Sequence, residues 1–196
     1  MTRFVSEKRL NKIKSVLSAR QFDLTLVIEN IHDPHNVSAI LRTCDAVGIY
    51  KIHLVYTIEK FPKLGRKSSA SAVKWIEKEK HKDIKICYEN LRQEGFEIYA
   101  STLNSDSSSL YELDLTKKVA IVLGNEHRGV SKEASELADK RFIIPMKGMV
   151  QSLNVSVAAA ITLYEAFRQR LSKGFYNRTL LNEEEFNLLL EKWCKR

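Results

Sequence analysis

Residues able to do chemistry gather in three stretches, each where an apolar β-branched run gives way to glycine or proline. The first is His32-Asp-Pro-His-Asn-Val-Ser-Ala-Ile-Leu-Arg-Thr43. The second is Gly124-Asn-Glu-His-Arg-Gly129, and the third is Ile144-Pro-Met-Lys-Gly-Met-Val-Gln-Ser-Leu-Asn-Val-Ser156. One such stretch would be ordinary turn chemistry. Three of them at strand ends, where open α/β sheets bind ligands, imply a shared pocket. Other chemistries are missing from the chain. It has no phosphate-binding G-x-x-x-x-G-K-[ST] loop, no G-x-G-x-x-G turn after the first strand, no G-x-S-x-G elbow and no Cys-x-x-Cys pair. His32 and His35 flank Pro34, which reads as loop histidines rather than a helical metal pair. Cys44, Cys87 and Cys194 are odd in number and lack metal-ligand spacing, as reduced thiols in a cytoplasm would.

The elements that must position these stretches follow from hydrophobic period. Apolar runs predict strands over 24–31, 51–56, 96–102, 119–123 and 142–145. Helical patterns fill 36–46, 89–94, 131–139 and about 152–171. In the last of these, Leu153, Val157, Ile161, Tyr164, Phe167 and Leu171 share a face. Alternation of this kind predicts an α/β fold, a mostly parallel sheet with helices on both sides. A helix over 6–19 precedes this body. Another follows it, opened by the capping-box pattern Asn182-Glu-Glu-Glu185. The organisation expected is a basic helical extension over 1–20, a body over 21–171 and a second helical extension over 172–196. Residues 60–72 read as a basic mobile loop.

The chain has 196 residues, 44% hydrophobic and 29% charged, which suits a folded domain and excludes disorder as its main state. No apolar run is long enough to span a membrane, and Met1 to Lys8 do not read as a secretory signal. The net charge of +8 is unevenly placed: residues 1–20 carry +5 and residues 60–85 carry +6. Positive charge concentrated on a near-neutral body fits a polyanionic partner, nucleic acid before membrane, or else a lysine-rich solvated surface.

The three stretches resemble motifs 1, 2 and 3 of the SpoU/TrmH type of SPOUT methyltransferase, in order, over about residues 24–170. The carrying residues are N-V-S-A-I-L-R-T-C-D-A-V-G, then L-G-N-E-x-x-G, then I-P-M-x-G-x-x-x-S-L-N-V-S-V-A-A-A. The resemblance implies a parallel-sheet SPOUT fold with a deep C-terminal trefoil knot, which is an exception to unknotted topology. It implies a homodimer in the cytoplasm that uses S-adenosylmethionine as methyl donor, with no metal expected and no DNA partner. The reaction implied is 2′-O-methylation of the guanosine at position 18 in the tRNA D-loop. Alternatives are an rRNA or wobble-nucleotide substrate, or a non-catalytic RNA-binding protein.

Residue roles follow from the resemblance. Thr102, Gly124, Asn125, Ile144, Ser152 and Leu153 line the donor pocket, although Ile144 and Leu153 suit plain core packing too. Arg42, Asn36, Glu126, Ser152 and Asn154 form the catalytic set. A guanidinium normally stays protonated, so Arg42 is read as a cation that binds the neighbouring phosphate and lowers the hydroxyl's pKa. The simpler fate for Arg42 is a salt bridge to Asp45 or Glu126. Asn36 is expected to orient Arg42, and Glu126 to orient Arg42 or the other subunit's loop, while Asn36 and Asn154 also suit helix N-caps. Lys8, Arg9, Lys12, Arg20, His35, Arg168, Arg170 and Arg178 are the expected RNA contacts, each of which could equally be a solvated surface charge.

Overall fold

The computed structural model describes residues 5–64, 72–103 and 106–196, so the middle of the basic loop, residues 65–71, lies outside the described residues. The elements in order are α1 (Glu7–Ser18), β1 (Leu24–Glu29), α2 (Pro34–Ala46), β2 (Lys51–Val55), β3 (Glu77–His81), α3 (Ile84–Gln93) and β4 (Glu97–Ser101). They continue with β5 (Ser108–Ser109), β6 (Val119–Leu123), α4 (Lys132–Leu137), β7 (Lys140–Ile143), α5 (Val155–Ser172) and α6 (Glu183–Cys194). The sheet order is β3-β2-β1-β6-β4-β7-β5, and every pairing between neighbours is parallel.

The central strands β1 and β6 are buried along their whole length, which is why Leu-Thr-Leu-Val-Ile and Val-Ala-Ile-Val-Leu read as apolar runs rather than alternations. Val37, Ile40, Leu41 and Cys44 of α2 and Ala159, Leu163 and Ala166 of α5 cover one face of the sheet. Ile84, Cys87, Tyr88 and Leu91 of α3 and Ala134 of α4 cover the other. The two terminal helices pack on each other, burying Ile13, Leu17 and Trp193. The capping box at Asn182 and Glu185 is present, with both reciprocal hydrogen bonds.

Three expectations change. The edge strand β3 falls inside the basic segment, where Glu77-Lys-Glu-Lys-His81 has no apolar alternation. Its charges suit an edge that must not pair with another chain, and Lys51 of β2 bridges to Glu79 at 2.9 Å. On α5 the expected apolar stripe splits: Leu153, Ile161 and Phe167 pack on the core, but the other half does not. Val157, Tyr164 and Leu171 are exposed, while Ala159, Thr162, Leu163 and Ala166 are buried. The third change removes two residues from the RNA set. Arg20 is 1% exposed, ion-paired to Asp45 and donating to the Ile49 carbonyl at 2.8 Å. Arg170 is fully buried, ion-paired to Asp23 and donating to the carbonyls of Leu115 and Lys117. Neither guanidinium can meet a phosphate. Arg20 instead ties the end of α1 to α2 and the turn before β2, and Arg170 ties α5 to the segments that lead into β1 and β6. Removing either would strand a half-buried carboxylate, a loss of about 3–5 kcal/mol.

Candidate active site

A cleft of about 720 Å³ opens at the carboxyl ends of β4, β6 and β7. Ser101, Thr102, Gly124, Asn125, Glu126, Ile144, Ser152 and Leu153 line it together with Arg128, Gly129, Met146 and Val155. All six residues expected in the donor pocket therefore meet in one place. Ile144 and Leu153 do both jobs: they face the cleft and also pack on the main core.

The loop after β6 owes its shape to Asn125. Its backbone exchanges two hydrogen bonds with Gly129, at 3.0 and 2.8 Å, closing a tight reversal. Its side-chain oxygen accepts from the N–H groups of His127 and Arg128, and its amide donates to the Asn30 carbonyl at 2.8 Å. Asn30 escaped sequence reasoning. It ends the first strand with a φ of 52°, a left-handed conformation that Asn tolerates, and its side-chain oxygen accepts from the N–H groups of Thr57, Ile58 and Glu59. One asparagine thus fastens three loops, and the only sequence signal was its place at a strand end.

A chain of side-chain hydrogen bonds joins the three polar stretches. Glu126 accepts from the backbone N–H of His32 at 3.0 Å and of Asp33 at 3.1 Å, and from Asn36 Nδ2 at 3.0 Å. Asn36 Oδ1 in turn accepts from Asn154 Nδ2 at 3.1 Å. Asn154 caps α5 by accepting from the N–H groups of Ser156 and Val157. The cap role weighed for Asn154 is therefore real, and it coexists with the bond to Asn36. Asp33, not Asn36, caps α2.

Burial raises the Glu126 carboxyl, but the hydrogen bonds from Asn36, His32 and Asp33 outweigh it and hold the group below the ordinary carboxylate value. A carboxylate with a lowered folded-state pKa stabilises the fold fully above its unfolded value, and that contribution is lost as pH falls through the folded one. Glu126→Gln should therefore flatten the acid limb of the stability-versus-pH curve, read from denaturant midpoints at neutral and acidic pH. A limb as steep as wild type's would remove Glu126 from its place as the charged hub.

Arg42 stands apart. It is exposed on α2, makes no ion pair among the described residues and does not line the cleft. Neither expected salt bridge forms, since Asp45 is taken by Arg20 and Glu126 by the donors just named. Asn36 and Glu126 do not orient Arg42 in the single chain; they bind each other and Asn154. Arg42 shares an exposed stripe of α2 with His35 and Ala39. Of the other expected RNA contacts, Lys8, Arg9 and Lys12 are exposed on α1. Arg168 is exposed but paired to Glu165 at 2.7 Å, and Arg178 lies over the Phe175 ring.

The SpoU rRNA Methylase family profile matches residues 23–164. The tRNA (guanosine(18)-2′-O)-methyltransferase of Thermus thermophilus is 46% identical over 191 residues, covering 97% of this chain and 98% of its own. The crystal structure of the A. aeolicus TrmH/SpoU tRNA modifying enzyme superposes with a TM-score of 0.91 at 44% identity, covering 96% of each chain. An AdoMet-bound rRNA methyltransferase from Sinorhizobium meliloti superposes with a TM-score of 0.60 at 25% identity, covering 79% of this chain and 59% of that one. A parallel sheet whose strand ends carry one shared cleft, and relatives matched along nearly their whole length, lead to one assignment: the chain belongs to the SpoU rRNA Methylase family.

Proposed function

We propose that the chain transfers a methyl group from S-adenosylmethionine to the ribose 2′-oxygen of the guanosine at position 18 in the tRNA D-loop. The observation that carries this reading is near-full-length identity of 46% to an enzyme named for that reaction, with Asn36, Arg42, Glu126, Ser152 and Asn154 all present. The cleft suits the donor. It has room for a nucleoside with an amino-acid arm, apolar walls at Ile144 and Leu153 for a base, and backbone groups of two tight loops for polar contacts. Bound there, S-adenosylmethionine supplies an activated sulfonium methyl, so transfer itself calls for no metal. The AdoMet-bound S. meliloti neighbour supports the same donor.

The chain's own residues must orient the ribose and help its hydroxyl lose a proton. Arg42 holds the adjacent phosphate and lowers the hydroxyl's pKa by its charge. The Glu126–Asn36–Asn154 links fix the start of α2 beside the cleft, and Arg42 is carried on the exposed face of that helix. Ser152 lines the cleft beside Asn154 and contacts the donor or the ribose.

Arg42 lies outside the cleft of its own chain, which supports a homodimer whose partner supplies the second half of the site. The exposed Val157, Tyr164 and Leu171 on α5 offer the apolar face such a dimer needs, and α5 packs beside α2. Ala159 is buried against the core, so it is not part of that face. A deep trefoil knot fits the order of the sheet: β7 pairs beyond β4, yet α5 returns to pack on α2 beside β1. No described helix is long and apolar enough to cross a membrane. A tRNA substrate supports a cytoplasmic location.

Transfer of labelled methyl into a tRNA transcript, followed by mapping, tests the reading. Label should appear on guanosine 18, and a transcript carrying 2′-deoxyguanosine there should take none. Label at another nucleotide would replace this substrate with one of the alternatives, and no label in any RNA would leave only the non-catalytic reading. Affinity for tRNA should also fall steeply with salt. Replacing Lys8, Arg9 and Lys12 by alanine should flatten the slope of log affinity against log salt by about 2, at roughly 0.7–0.9 per phosphate contact. An unchanged slope would move the phosphate track to the 60–85 segment or to Arg168 and Arg178.

A further inference from the structure

No spacing in the sequence links His53, His81 and Cys87. The parallel pairing of β2 with β3, and the packing of α3 over both, brings them together on the face of the sheet opposite α2. One ligand atom from each lies within 4.8 Å of the others. His53 and Cys87 are fully buried, and His81, at 9% exposure on the edge strand, is the way in from solvent. His53 Nδ1 and His81 Nε2 face each other at 2.9 Å with a single proton between them, and His53 Nε2 has no hydrogen-bond partner. The two facing nitrogens thus bring two lone pairs to one point with a single proton to share, an arrangement that a cation can bridge.

We propose that these three side chains form a structural metal site taking one Zn²⁺ per chain, with two imidazole nitrogens and the Cys87 thiolate as ligands. Zinc bonds of about 2.0 Å to nitrogen and 2.3 Å to sulfur set ligand atoms roughly 3.3–3.7 Å apart in a tetrahedron. The nitrogen pair need open by only about 0.5 Å, and the thiol need move in by about 1 Å, to reach that figure. The ion takes the place of the shared proton. Each imidazole gives one lone pair and carries its proton on the outer nitrogen, the shared proton moving there as one ring changes tautomer, while the thiol proton leaves to solvent, so one proton is released per zinc bound. The remaining single positive charge faces Glu79, whose carboxylate lies 3.7 Å from His81 Nε2 and can complete the coordination directly or through water.

The protonation states agree with this. Burial and the Lys51 ammonium push His53 down to about 4, and burial holds His81 below its ordinary value against the opposing Glu79 carboxylate, so both rings are neutral ligands at pH 7. Burial pushes the Cys87 thiol up to about 12, so the thiol stays protonated until a metal displaces its proton. Such a site clips the charged edge strand β3 and the helix α3 to β2, away from the methyl-donor cleft. The competing account is a neutral histidine pair beside an inert core thiol, and it binds no metal.

The test uses the full-length wild-type protein after chelator treatment. Zinc titrated against a competing chromogenic chelator should be held at one equivalent per chain and should raise the melting temperature up to that equivalence. Cobalt(II) should give tetrahedral ligand-field bands with a thiolate charge-transfer band. Cys87→Ala should lose the charge-transfer band and weaken zinc binding by more than about 100-fold, above the 10- to 100-fold cost of losing a partner that only orients a ligand. Cys194→Ser, which removes the partly exposed thiol, should keep both. Wild-type protein that retains no zinc overturns the proposal whatever the variants do, and so does a Cys87→Ala variant that binds like wild type.

Discussion

Arg42→Ala is expected to lower kcat for methyl transfer by at least about 10²–10³-fold, the cost of removing one preorganised group that stabilises developing negative charge. Affinity for S-adenosylmethionine should not change. The expectation rests on position: Arg42 is exposed on α2, does not line the cleft and has no ion-pair partner among the described residues. Its loss leaves the Glu126, Asn36 and Asn154 bonds in place, so neither fold nor donor pocket gives a reason for failure. Arg42→Lys should fail as well, because a point charge on a flexible stem does not reproduce a planar fork on phosphate and ribose. Donor binding by calorimetry and single-turnover transfer on tRNA separate the two steps. A variant with wild-type turnover would end the role assigned to Arg42, and one that lost donor binding would move Arg42 into the donor pocket.

The parts of the molecule legible in the sequence are those where neighbours in sequence do the work. The β1 and β6 strands show as apolar runs because both faces are covered, and the three polar stretches sit at strand ends as the sheet's topology demands. What could not be read depends on distant partners. Arg20 and Arg170 look like surface charges until Asp45 and Asp23 close on them. The β3 strand lacks an apolar period because it lies at the sheet's edge. Asn36 seemed placed to steer Arg42, but six residues at about 100° each put the two side chains about 120° apart around α2. Asn36 turns inward to Glu126 and Asn154, and Arg42 turns out to solvent.

Among the six described glycines, Gly124 is where a change to alanine should do the greatest damage. A Cβ at Gly124 would fall 2.1 Å from the carbonyl carbon and oxygen of Gly129 and 2.2 Å from the Val130 nitrogen, all of them backbone atoms. No side chain can rotate away, so the loop itself must open. That motion breaks the two hydrogen bonds between Asn125 and Gly129, and with them the Asn125 tie to Asn30 and the setting of Glu126. Overpacking costs typically about 1–3 kcal/mol, and backbone contacts this close put the variant at or above the upper end. Donor affinity should fall below detection by calorimetry, because the loop that moves is a wall of the cleft. Two other glycines separate crowding from general fragility. Gly148→Ala meets nothing within 4 Å and should bind the donor as wild type does. Gly129→Ala also meets open space, but its φ of +68° disfavours any Cβ by about 1–2 kcal/mol, so it should be less stable while the cleft keeps its shape. A Gly124→Ala protein that melts with wild type and binds the donor normally would mean that this reversal is not the wall of the methyl-donor site.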